Sequence, residues 1–205
     1  MPVDHGRDHR NAPIETPTLA SGRWRLRPVA DHDQAFMFAT MTDPGMIRAR
    51  SAAPPAEEPE MKGWIRRAIA ASEAGTSCTW VIEDGDDDRA AAGLLVLQEI
   101  DRDHGVAEAG YYVAPRHRRS GAATACLDTV ATWAFDHLDL VRVQLFHDTD
   151  NPISCRVATG AGFAAEGVLR SSRRRSDGTR ADQEVHARLR DDGSTEGASA
   201  QRIGG

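Results

Sequence analysis

Polar and apolar positions alternate in period two through Trp24, Arg25, Leu26 and Arg27, ahead of Pro28, which predicts a short first strand. Asp31 or Asp33 is then placed to cap a helix carrying Ala35, Phe36, Phe38, Ala39 and Met41 and ending before Pro44. After prolines at 54, 55 and 59, the residues Met61, Trp64, Ile65, Ala68 and Ile69 recur at spacings of three and four. This is the stripe of an amphipathic helix that ends near Gly75. Strands are expected over 79–83, 91–98 and 106–113, and the turns between them are short enough to predict antiparallel pairing. From Gly121 a long helix sets Ala122, Cys126, Val130, Trp133 and Ala134 on one stripe. A strand over 141–146 turns Val141, Val143 and Leu145 to one side, and Asn151-Pro152, a cap residue followed by proline, opens another helix that stops at 160–162. Two last strands, one from Phe163 and one over 185–189, flank a turn at Asp177-Gly178. The pattern predicts a mixed α/β (α+β) domain over residues 16–190, with a largely antiparallel central sheet of about six to seven strands and about four flanking helices. Residues 1–15 and 191–205 are polar and aperiodic and are expected to be disordered tails.

At 205 residues the chain suits one domain with an ordinary core. A net charge of -6 argues against a dedicated nucleic-acid binder, which needs a basic face to displace counterions. Three widely spaced cysteines, Cys78, Cys126 and Cys155, each in a small or apolar setting, fit reduced core thiols and a cytoplasmic location. Neither a secretory signal nor a bilayer-spanning run is present in the sequence, so no membrane partner is expected. The eight histidines show no helical zinc spacing and no CxxC accompanies them, so no metal is expected. Arg173-Arg174-Arg175 is expected to be a solvated hairpin loop, or to face an acidic acceptor, and the acidic run 84–88 a hydrated turn.

Chemistry concentrates at Arg118-Arg119-Ser120-Gly121-Ala122-Ala123, which follows a strand and enters a helix. Free N–H groups and the helix dipole make such a terminus an anion site, and Gly121 lets the backbone come close to a phosphate. On the residues alone, a solvated basic turn explains the segment equally well.

The same segment resembles the acyl-CoA loop of the GNAT N-acetyltransferases, Arg or Gln, two residues, Gly, one residue, then Gly or Ala, matched here by Arg118, Gly121 and Ala123. Four further segments fall in the family's order: the strand 24–28, EAGYYVAP at 108–115, NPISCRVATGAGF at 151–163, and EGVLR at 166–170. Together they resemble the branch of the ribosomal-protein N-terminal acetyltransferases. The resemblance implies acetyl-CoA as cosubstrate, held by Arg118, Arg119, Ser120, Gly121, Ala122 and Ala123. It also implies a strand ending at Val113 that splays from the strand at 141–146, with the pantetheine arm in the gap. Asn151 would contact that arm, although an Asn before Pro is also an ordinary helix cap. Ser154 would donate to the departing sulfur, although a first-turn serine needs no function. Glu108, beside the expected cleft, is the candidate base for the amine, with a solvent-facing strand residue as its plain alternative. The acceptor is expected to be a primary amine, either a protein N-terminus or a small amine such as an antibiotic or metabolite, and a homodimer is left open. Arg119 stands where this branch has glycine and His186 where it often has tyrosine. Those departures keep a second reading alive, a non-catalytic acyl-CoA-binding regulatory module of the same fold.

Overall fold

The computed structural model describes residues 12–49 and 54–193. Eight strands and five helices follow one another as β1 (Leu19–Ser21), β2 (Trp24–Pro28), α1 (Gln34–Met41), α2 (Pro44–Ala49), α3 (Glu60–Glu73), β3 (Cys78–Asp84), β4 (Ala90–Asp101), β5 (Val106–Val113), α4 (Ala122–His137), β6 (Arg142–Asp148), α5 (Pro152–Gly160), β7 (Ala164–Arg174) and β8 (Arg180–Leu189). The sheet runs β1-β2-β3-β4-β5-β6-β8-β7. Every neighbour pairs antiparallel except β5 and β6, which run parallel and pair only at Val106–Arg142, Ala107–Val143 and Glu108–Gln144. Beyond those three rungs the two strands diverge.

The count exceeds the sequence expectation by a strand and a helix. β1 is three residues long and has no alternation to announce it. At α2, Pro44 was expected only to end the preceding helix, yet it also begins the next one. Asp43 Oδ1 accepts from the N–H groups of Gly45 (2.9 Å) and Met46 (3.3 Å), so Asp43 is the cap and Pro44 the first helical residue. Asp33 does not cap α1 with its side chain. Its carboxylate instead takes both terminal guanidinium nitrogens of Arg27, at 2.6 and 2.8 Å, and the Ala30 N–H, locking β2 to the start of the helix.

Two cores sandwich the sheet. On one face α4 and α5 bury Leu127, Val130, Ala134 and Ala158 against Trp80, Leu95, Leu97, Leu145 and Phe163. On the other, α1 and α3 bury Met37, Met41, Met61 and Ile65 against Val81 and Leu94. Alternation along β3 sends Trp80 and Val81 to opposite cores, which is why that strand is buried throughout. Each large side chain so covered contributes roughly 1.5–3 kcal/mol. Ile14 is also buried, with its N–H on the Ser72 carbonyl, and a short turn over Arg190–Gly193 closes the described chain. Residues 1–11 and 194–205 of the two segments expected to be tails lie outside the described residues.

Candidate active site

The divergence of β5 from β6 decides where backbone groups face. The Ala114 N–H bonds to the Ala92 carbonyl on β4, so in an antiparallel ladder Tyr112 and Gly110 also face β4. Ala109, Tyr111 and Val113 therefore turn their backbone groups toward β6; the last rung, Glu108–Gln144, uses the Ala109 N–H, and beyond it β6 has moved away.

At the far end of β5 a short 3-10 turn, Pro115–His117, leads into the basic loop. His117 is buried and sets Nδ1 3.3 Å from Asp84 Oδ2, and Asp84 also pairs with Arg23. The acidic run is thus more than a hydrated turn, because Asp84 anchors the loop from beneath. Gly121 caps α4 in the left-handed conformation at φ +85° and has no side chain to cover the terminus, where Ser120 Oγ takes only the Ala122 N–H, at 3.4 Å. A Cβ built on Gly121 would meet no protein atom within 4 Å. The first-turn N–H groups of α4 beyond Ala122 are accordingly left for an anion at the open surface. Arg119, at φ +64°, holds the left-handed conformation that glycine adopts without strain. Arg118 does not project toward an anion. Its Nε donates to the Val113 carbonyl at 3.2 Å and its terminal nitrogen to Asp43 at 3.1 Å, so it braces the loop against β5 and α2. Ser120 donates to the His117 carbonyl, tightening the same turn.

Across the gap, α5 presents Asn151 and Ser154. Asn151 Oδ1 accepts from the Ser154 N–H at 3.2 Å, the cap interaction, while Asn151 Nδ2 donates to Ser154 Oγ at 3.0 Å. Tyr111, which the sequence argument passed over, donates its hydroxyl to the same oxygen at 3.1 Å. Burial pushes the Tyr111 phenol above its ordinary value, with the Ser154 contact pulling it partly back. A serine oxygen has two lone pairs and one proton. With both lone pairs engaged, the Ser154 proton is what it has left to give.

On the opposite sheet face, Glu108 lies half-buried beside Gln98, whose amide donates to Glu108 Oε1 at 2.9 Å. Burial raises the Glu108 carboxyl above the usual carboxylate range, the Gln98 bond lowers it in part, and the Glu99 charge raises it further. Glu108, Asn151 and Ser154 all line one cleft of about 650 Å³, to which Met41, Met46, Trp64, Leu94, Tyr112 and Phe146 give apolar walls. Asp148 and Asp150 also line it. Arg173 and Arg175 fold back onto Asp148, and Arg175 and Arg48 onto Asp150. The arginine run is thus not a freely solvated loop, since two of its three guanidiniums neutralise the cleft wall.

The family model of the acetyltransferase (GNAT) domain matches residues 23–164. The uncharacterized N-acetyltransferase YoaA of Bacillus subtilis is 29% identical over 154 residues, covering 75% of this chain and 86% of its own. In fold, the chain is similar to Mycobacterium smegmatis RimJ in complex with CoA-disulfide, with a TM-score of 0.81, 22% identity, and 90% of this chain and 93% of that one covered. It is similar also to spermidine N-acetyltransferase from Vibrio cholerae in complex with CoA and spermine, with a TM-score of 0.72, 22% identity, and 82% and 95% covered.

Proposed function

The chain belongs to the GNAT acetyltransferase family, and from that premise we propose that it carries acetyl from acetyl-CoA to the α-amine of a polypeptide N-terminus. Transfer from acetyl-CoA to an amine is the activity of the family; the choice of amine is the finer claim. The observation that carries it is the charge of the cleft. Among the described residues lining it, Asp148 and Asp150 are neutralised by arginines, and Glu108 is the carboxylate left without one. A polyamine would find no surplus of negative charge along its length, whereas one amine next to an apolar or acidic side chain would suit Glu108, the apolar walls and the arginine rim.

The residues divide the work. The α4 N-terminus and the 118–123 loop take the pyrophosphate, and the Ala109 C=O, the Tyr111 N–H and C=O and the Val113 N–H receive the pantetheine amides as a strand would. The amine enters from the α1 and α3 side. An α-amine has a pKa of about 7.7–8.0, well below the ~10.4 of a lysine, so at neutral pH it needs little help to lose its proton. Glu108 takes that proton, directly or through a water, as nitrogen attacks the thioester carbonyl. Collapse of the adduct breaks the carbon–sulfur bond, and the Ser154 hydroxyl protonates a thiolate whose pKa is about 8.5, judged from cysteine. Ser154 recovers its proton from solvent or along the Tyr111 contact. No covalent acetyl-enzyme is needed.

The test is thiol release from acetyl-CoA with a panel of N-terminal peptides, small amines and polyamines. Peptide N-termini are expected to give the highest kcat/KM. Spermidine or spermine equalling the best peptide would overturn the acceptor assignment. Calorimetric binding of acetyl-CoA with no thiol release above hydrolysis for any amine would instead favour the non-catalytic module.

A further inference from the structure

Behind α5, on the sheet face turned away from Glu108, side chains from three elements converge on one point. His147 comes from β6, Cys155 from α5, and Glu184 and His186 from β8; one donor atom of each lies within 4.8 Å of all the others. The two imidazoles are buried, with side chains 4% and 0% exposed.

Each imidazole has one nitrogen on a backbone carbonyl, His147 Nδ1 at 2.9 Å from Asp148 O and His186 Nδ1 at 3.4 Å from Phe163 O. A carbonyl only accepts, so Nδ1 carries the proton in both rings and Nε2 is left with a lone pair. Neither buried Nε2 has a hydrogen-bond partner. Both instead face Glu184 Oε2, at 3.4 and 3.5 Å. Two lone pairs set against a carboxylate repel one another unless a cation lies among them, and buried polar atoms left so are costly.

We propose that His147, Cys155, Glu184 and His186 form a binding site for a divalent zinc-type metal ion. Two imidazole nitrogens, a thiolate and a carboxylate are the donors that zinc takes, whereas magnesium and calcium require oxygen. Ligands about 2.1 Å from a tetrahedral centre stand roughly 3.4 Å apart, and the two nitrogen–oxygen separations already match. The backbone carbonyls on Nδ1 are the outer contacts that hold a ligating histidine in its tautomer. On binding, the Cys155 thiol releases its proton to solvent. Four protein ligands make the centre closed, hence structural: it would tie β6, β8 and the first turn of α5 together, one residue from Ser154. Sequence spacing hid the group because its members are distributed over three elements; the trace that could have exposed it is Glu184 and His186, two apart on one face of a strand.

The experiment uses the full chain, stripped with chelator, loaded with Zn²⁺ or Co²⁺ and desalted. Elemental analysis is expected to find one metal per chain. The Co²⁺ form is expected to show a near-ultraviolet thiolate-to-cobalt band together with tetrahedral visible bands, and Zn²⁺ to raise the thermal midpoint. Cys155→Ser, close to isosteric and only partly buried, should abolish the near-ultraviolet band and weaken Zn²⁺ by at least about tenfold, since even outer-contact losses cost that much. His147→Gln should likewise lower retention. Absence of retained metal would overturn the proposal and leave a shared proton between an imidazole and Glu184. Retention with an unchanged band in Cys155→Ser would overturn it too, by placing the metal elsewhere. Neither readout depends on acetyl transfer.

Discussion

Replacing Arg119 with glycine isolates a backbone effect in the loop proposed to hold the cofactor. At φ +64° the arginine sits in the left-handed region, which costs a residue with a Cβ roughly 1–2 kcal/mol. Glycine escapes that cost but gives up about 0.5–1 kcal/mol more chain entropy on folding. The difference favours Arg119→Gly by about 0.5–1 kcal/mol. For a chain of this size 1 kcal/mol moves the melting midpoint by about 2–4 °C, so the variant should melt about 1–4 °C higher without ligand. Arg119→Ala is the control, because alanine keeps the Cβ and hence the strain while losing the same charge. Calorimetric unfolding of the three proteins measures the effect. A titration with acetyl-CoA should find both variants weakened alike by the missing cation. If alanine stabilised as much as glycine, or glycine lowered the midpoint, the strained-loop argument would be wrong.

Three other changes address the site. Glu108→Gln should lower kcat and remove the acidic limb of its pH profile, which lies above the usual carboxylate range because burial raises this group; an unmoved limb would dismiss Glu108 as the base. The same substitution should stabilise the fold at neutral pH. The folded carboxyl binds its proton more tightly than the unfolded one, so stability falls as pH rises through its raised pKa; denaturant melts at pH 4 and 7.5 should therefore differ between wild type and variant only at the higher pH. Gly121→Val, at φ +85° and at the mouth of the proposed anion site, should weaken acetyl-CoA by tenfold or more, about 1.4 kcal/mol, and equal affinity by calorimetry would count against the phosphate assignment. Tyr111→Phe removes one donor from Ser154 Oγ and should cost roughly three- to tenfold in kcat, the worth of one hydrogen bond, with KM for acetyl-CoA nearly constant; an unchanged kcat would separate Tyr111 from the leaving-group step.

What the sequence made legible were features with a local cause. Period-two alternation located β2 and β6, turn residues bounded β3 to β5, the three- and four-residue stripes located α3 and α4, and Asn151-Pro152 located the start of α5; it was the family resemblance that implied one cleft for Glu108, Asn151 and Ser154. Asp43-Pro44 carries the same cap-then-proline signal, and there the proline both ends α1 and begins α2. Partners set by the fold were hidden. Arg118 carried the right motif, but its tie to Asp43 joins segments far apart in the chain, and so does the folding of Arg173 and Arg175 onto Asp148. Tyr111 was concealed differently: in the Tyr111-Tyr112 pair alternation sends one ring to each sheet face, and only the position of α5 reveals which ring meets Ser154.

The gap between β5 and β6 also bears on unwanted pairing with other chains. A strand with unpaired N–H and C=O groups is normally a docking template for any extended polypeptide, the starting point of strand addition and aggregation. Here that template is enclosed: β4 backs β5 on one side, β6 stands opposite, and three rungs close one end. A polypeptide laid against Ala109, Tyr111 and Val113 would carry side chains on both faces, whereas a slim unbranched chain with amides at intervals would not. The protein thus keeps a sticky border within its own sheet and screens what touches it by cross-section before any chemistry begins.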